Sequence, residues 1–217
     1  MAISYVSAGS QYTAFGNPVT FSFSVASGSD TLLEIMGSND SGSATALTAV
    51  TYNSVSATLR AQKKFSDPLP TRFIEVWTLA SPATGSNTVS VSYNNSTAFA
   101  VAAAKQFDGV DLTDPINATQ TASAFAASIS TAAISTVSGG MVSDSAHHGA
   151  TSLAATGGMT IRWTANSDFK SGATQAADGS NITPGRSWTG NAEAVIVALS
   201  YKVAGGGGDD LMGQVMM

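Results

Sequence analysis

The sequence contains no cysteine, so it has no disulfide framework, thiolate nucleophile or zinc-thiolate site, and stability has to come from apolar burial and backbone pairing. Charge is scarce as well. Asp, Glu, Lys and Arg make up 11% of the 217 residues, against about a quarter in an ordinary globular chain. The surface left to Ser, Thr, Ala, Gly and Asn is of the kind carried by β-rich proteins that live outside cells. The nine Lys and Arg residues are scattered, with Lys63-Lys64 the only basic doublet and Arg60 just before it, and the net charge is -5. That leaves no electrostatic footprint for a polyphosphate, so nucleic acid is not expected as a partner. No apolar run reaches the roughly 18 residues of a transmembrane helix, so no membrane is expected either. The opening Met1-Ala2-Ile3-Ser4-Tyr5 has neither the basic start nor the apolar stretch of a secretory signal. An outside-type composition without an export signal fits a virion protein released by lysis, a substrate of a signal-less export route, or a chain trimmed of its signal.

What the sequence does have is period-two patterning. Val19, Phe21, Phe23 and Val25 alternate with Thr20, Ser22 and Ser24, which predicts a strand with one buried face. Strands are predicted over 31–36, 46–52 and 55–60, the last two joined at Asn53-Ser54, because Asn tolerates the positive φ of a tight hairpin turn. In 72–79, Phe73, Glu75, Trp77 and Leu79 share one face while Ile74 and Val76 share the other. Val89, Val91 and Tyr93 alternate in turn. The near-continuous apolar run 98–107 reads as a central strand covered on both faces, with a short buried helix as the alternative. Residues 118–137 are almost all Ala, Ser and Thr; strand is favoured there, and helix competes over 122–133 because alanine is the best helix former. Strands follow at 141–144 and 159–165. In 192–203, Val195, Val197, Leu199 and Tyr201 oppose Ala194, Ile196 and Ala198, which marks a two-sided central strand. The expected fold is all-β: an antiparallel two-sheet sandwich, jelly-roll-like, of about ten strands, forming one domain over 1–204.

After Ala204 the composition changes. Gly205 to Gly208 forms a tether, Asp209-Asp210 a charged spacer, and the end is apolar, with Leu211, Met212, Val215, Met216 and Met217. Methionine is unbranched and polarizable, which suits an adaptable grip on a partner, so these five residues are the expected docking element of a 205–217 tail; the alternative is a tail with no role. Asp108, Asp111 and Asp114 lie at i, i+3 and i+6 and offer a weak Ca²⁺ site, their alternative being ordinary turn residues. No other cofactor is expected. His147 and His148, the only histidines, point to opposite faces of a strand and cannot share one ion. There is no Gly-x-Ser-x-Gly elbow to expose a serine nucleophile, so no enzyme activity is expected. Glu34, Glu75 and Glu193 alternate with apolar neighbours in the way of a polar outer face. Trp77 reads as core, whereas Trp163 and Trp188, nearer to loops, are the candidates for contact with a surface glycan or a partner.

Several strand-and-turn landmarks stand out: Asp30-Thr31-Leu32-Leu33, Val50-Thr51-Tyr52-Asn53, Val76-Trp77-Thr78-Leu79 with Pro82-Ala83-Thr84-Gly85, Asn87-Thr88-Val89-Ser90-Val91, and Phe107-Asp108-Gly109-Val110-Asp111. In these the chain resembles β-sandwich modules found in tailed-phage virion proteins and bacterial surface proteins. The resemblance covers about 18–116. It implies a non-enzymatic virion structural protein, a capsid decoration or a neck, tail or fibre component. Such a protein would sit on the virion surface, associate with itself and dock on other virion proteins such as the major capsid protein. The alternative is a carbohydrate-binding or adhesive module, extracellular or on a cell surface.

Overall fold

Short runs of alternating β-branched and aromatic residues, punctuated by Gly, Asn and Pro, leave the chain little choice but strands and turns. A computed structural model describes residues 1–39, 46–66, 70–95, 98–149, 153–165 and 170–205, and no helix occurs among them. In the first half lie β1 (Ser4–Phe15), β2 (Val19–Val25), β3 (Leu32–Asn39), β4 (Leu47–Tyr52), β5 (Val55–Ser56), β6 (Thr58–Ser66), β7 (Pro70–Ala80), β8 (Gly85–Tyr93) and β9 (Ala98–Asp108). The second half supplies β10 (Ile116–Ser130), β11 (Ser138–His148), β12 (Ala154–Thr156), β13 (Thr160–Ala165), β14 (Lys170–Asp178) and β15 (Gly185–Tyr201).

The all-β antiparallel sandwich is observed, but its count is corrected: among the described residues fifteen strands form three sheets, not ten strands in two. The middle sheet has the order β1-β9-β3-β7-β6, the N-terminal sheet β2-β8-β4-β5, and the C-terminal sheet β10-β15-β11-β14-β13 with β12 added to β15. One core lies between the N-terminal and middle sheets, where Val19, Phe23, Val50, Val89 and Val91 meet Leu33, Ile35, Phe73 and Ala102. A second core lies on the other side of the middle sheet, where Leu32, Met36, Ile74, Val76, Val101 and Phe107 meet Met141, Trp163, Val195, Val197, Leu199 and Tyr201. The middle sheet is therefore buried on both faces, and β3 is buried at every position. The expected division of β7 is observed, with Phe73, Trp77 and Leu79 facing one core and Ile74 and Val76 the other. So are the hairpin at Asn53-Ser54, where both residues have positive φ, and the strand reading of 98–107 and of most of 118–137. Smaller apolar groups built on Ile134, Val142 and Ile182, and on Ile129, Ala146 and Trp188, cover the far face of the C-terminal sheet.

Register in the C-terminal sheet depends on one close approach. Trp163 of β13 lies across the backbone of Gly172 in β14, and a methyl group at residue 172 would collide with the indole nitrogen and its ring carbons. Gly172→Ala is expected to lower stability by about 1–3 kcal/mol, the cost of overpacking a filled core. A lower urea midpoint at unchanged denaturant slope would show it, and an unchanged midpoint would refute the contact.

Candidate functional site

Among the described residues Glu34, Glu75, Lys105, Asp144, Lys170 and Arg186 are buried charged side chains. Glu34 and Lys105 stand opposite each other in the β3–β9 ladder. They point toward the C-terminal sheet, with Nζ 2.8 Å from Oε1 and both side chains 2% exposed. Lys105 also donates to Ser143 Oγ at 2.5 Å and to the Asp144 carbonyl at 2.7 Å, while the Tyr201 hydroxyl donates to Glu34 Oε2 at 2.7 Å. The ammonium thus has three acceptors for its three hydrogens. Burial pushes the Tyr201 phenol well above its ordinary pKa and the Glu34 charge raises it further, so the hydroxyl keeps the hydrogen it donates.

On the far face of the C-terminal sheet a second buried pair closes. Asp144 takes both terminal nitrogens of Arg186, with Nη1 2.9 Å from Oδ2 and Nη2 on Oδ1. Arg186 Nε donates to Ser171 Oγ at 3.1 Å, and the backbone N–H of Ala173 donates to Asp144 Oδ1 at 3.1 Å. Arg186 reaches this position because β15 turns a corner. Between the pairs Ala126↔Ala192 and Ser128↔Ser187 the register advances two residues along β10 and five along β15, and the part beyond pairs with β12. Nearby, Ser38 Oγ donates to the Phe73 carbonyl at 2.8 Å and lies 2.7 Å from His147 Nδ1, so the ring nitrogen carries the hydrogen of that second bond. His148 faces the other way, as expected of adjacent strand residues, and stacks on Trp188 at 4.7 Å with the planes 6° apart.

Several sequence expectations change. Trp163 and Trp188 are each 7% exposed. Trp163 fills the core against the middle sheet, and Trp188 donates to the Ala126 carbonyl at 3.0 Å while its face is taken by His148. Neither offers an aromatic face to a sugar. Glu34 and Glu75 are buried rather than outward, and they point into different interlayer spaces, so they do not oppose each other across a cleft. Glu193 is partly exposed and pairs with Arg72 at 2.7 Å. Asp108, Asp111 and Asp114 are held apart by separate partners. Asp108 accepts from Thr31 Oγ1 at 2.7 Å, Asp111 caps the N–H groups of Thr113 and Asp114 at 3.0 and 3.2 Å, and Asp114 pairs with Lys202. Among the described residues no group of three or more His, Asp or Glu side chains could hold a metal ion. Asp111 instead borders a shallow hollow with Asp30, Val110, Leu112 and Gly205. The docking residues Leu211, Met212, Val215, Met216 and Met217 lie outside the described residues.

What sequence reasoning did not single out is an edge. β10 ends the C-terminal sheet; it is 15 residues long, has no ionisable side chain and no proline, and carries Phe125 at 65% exposure. A lone aromatic in a stretch of Ala, Ser and Thr was the available signal. No protein-family model matches the chain, and no curated protein or solved structure does.

Two stability measurements check the buried groups. Asp144→Ala, which leaves the Arg186 charge uncompensated, is expected to cost about 3–5 kcal/mol, whereas replacing both partners with apolar residues of similar volume is expected to cost far less. Losses that simply add in a double-mutant cycle would show that the two side chains are uncoupled. Glu75 accepts from the Leu47 N–H at 3.3 Å and from Trp77 Nε1 at 3.2 Å, yet burial raises its pKa above the usual carboxylate value. An unfolded glutamate loses its proton near pH ~4.3. The folded chain holds that proton to higher pH, so the contribution of Glu75 falls as pH rises from there through the folded pKa and is level above it. The stability of the wild type minus that of Glu75→Gln should therefore decline as pH rises above about 4 and then level off, and a flat difference would contradict the burial effect.

Proposed function

We propose that the chain is a non-enzymatic structural protein of a tailed-phage virion, a capsid decoration or a neck, tail or fibre component at the virion surface. It works by associating with copies of itself and by docking on other virion proteins such as the major capsid protein. The observation that carries this reading is the long, uncharged, open edge of β10 on a chain in which Asp, Glu, Lys and Arg make up only 11% of the residues. Folded proteins that stay solitary guard such edges with charge, proline or brevity. The low charge content fits a surface meant to be covered by neighbours. The tail residues Leu211 to Met217 supply the second contact, an adaptable grip on the capsid.

Mass spectrometry of particles purified from the host that encodes the chain is expected to find it in many copies per virion. Deleting 211–217 is expected to abolish incorporation while the body stays folded by circular dichroism. Absence from particles, together with binding of the isolated monomer on a glycan array, would replace this reading with an adhesive one.

A further inference from the structure

Among the described residues the three sheet paths end in six strands, β2 and β5, β1 and β6, β10 and β13, and the three-residue β12 is paired on one side only, with β15. Each edge strand presents backbone N–H and C=O groups on its unpaired side, which makes it a template for another strand. Most of these edges are guarded. β5 has two residues, β6 carries Arg60, Lys63 and Lys64, and β13 has six residues including Arg162. β2 has seven residues and follows Pro18 closely, and β1 is met from the side by β13, where Ser10 Oγ donates to the Thr164 carbonyl at 3.4 Å. β10 has none of these protections. Its ladder partner is β15, and among the described residues its other side forms no ladder. Phe125, in its second half, is after Met1 the most exposed large apolar side chain among the described residues.

We infer that β10 is the pairing edge for β10 of a second copy of this chain, antiparallel across a two-fold axis that sets the two Phe125 rings side by side and joins the two C-terminal sheets into one. This rests on the self-association in the proposed function and names its surface. The lack of charge selects the occupant. A partner attracted by charge would need a complementary charge on the edge, and β10 carries none. Across a two-fold axis a strand meets its own sequence reversed, and an uncharged strand does so without setting like charges opposite each other. The Ala, Ser and Thr side chains are small enough for close approach in many registers. The single aromatic selects one of them, because a cross-strand aromatic pair is favourable only where the rings meet.

The absence of cysteine makes the test clean, since Phe125→Cys carries the only thiol. Sedimentation of the full chain is expected to show a dimer. The double variant Ser123→Lys, Phe125→Lys, altered at two exposed positions, is expected to be a monomer with an unchanged circular dichroism spectrum. Under mild oxidation Phe125→Cys is expected to form a disulfide dimer much faster than Ser56→Cys on the β5 edge. A wild type that stays monomeric at high micromolar concentration, a double variant that remains dimeric, or equal cross-linking at the two edges would overturn the inference. If the double variant does not fold, the cross-linking comparison decides. A chain that is monomeric in solution yet present in particles defeats this inference and leaves the virion reading standing, whereas a β10-linked dimer absent from particles does the reverse.

Discussion

An ammonium and a carboxylate shut away from water between two sheets set the terms on which the rest of this protein is assembled. Burying such a pair costs several kcal/mol per ion unless every lone pair and hydrogen is matched. Ser143, the Asp144 carbonyl and the Tyr201 hydroxyl must therefore arrive within 2.5–2.7 Å of Lys105 and Glu34. All three come from the C-terminal sheet. A slip of one residue in β11 would turn Ser143 away from Lys105 and bring the Asp144 side chain round in its place. The pair thus acts less as a source of stability than as a selector of one sheet-to-sheet alignment among many that small apolar side chains would allow.

Asp144 carries the same logic to the far side. Its carbonyl serves Lys105 while its carboxylate holds Arg186, so one residue of β11 ties both faces of the C-terminal sheet. The corner in β15 lets a single strand pass through the core and then supply the cation above it. The middle sheet, buried on both faces, and the corner in β15 are parts of one arrangement in which two ion pairs find their partners inside.

How much of this could be read from the residues depended on which face each one occupied. The alternation in β2 and β7, the Asn53-Ser54 turn, and the two-sided runs in β9 and β15 are local patterns, and local pairing reproduces them. The third sheet left no such mark. Glu34 among Leu33 and Ile35 looks like an outward residue of a half-buried strand, and only a layer contributed by residues far along the chain turns that face inward. β1, with three serines and a glycine among its twelve residues, and β14, with its Ala, Ser and Thr, have too little apolar contrast to show a period. Trp163 and Trp188 were placed near loops by their polar neighbours; what buried them was a glycine opposite one and a histidine ring over the other. The candidate site was legible only as composition, a stretch of small uncharged residues with one phenylalanine in it.

Lys105 and Glu34 have a further role that follows from the order of the strands. β1 to β9 precede every strand of the C-terminal sheet, so a chain emerging N-terminus first can close its first two sheets while the layer that caps them is still being made. At that stage Leu32, Met36, Ile74, Val76, Val101 and Phe107 form a naked oily face on a half-finished protein. The two ions in its midst are fully hydrated then. They keep that face wet, as charged gatekeepers do beside sticky strands, so the groups that are expensive in the finished molecule are what make its unfinished form safe to build.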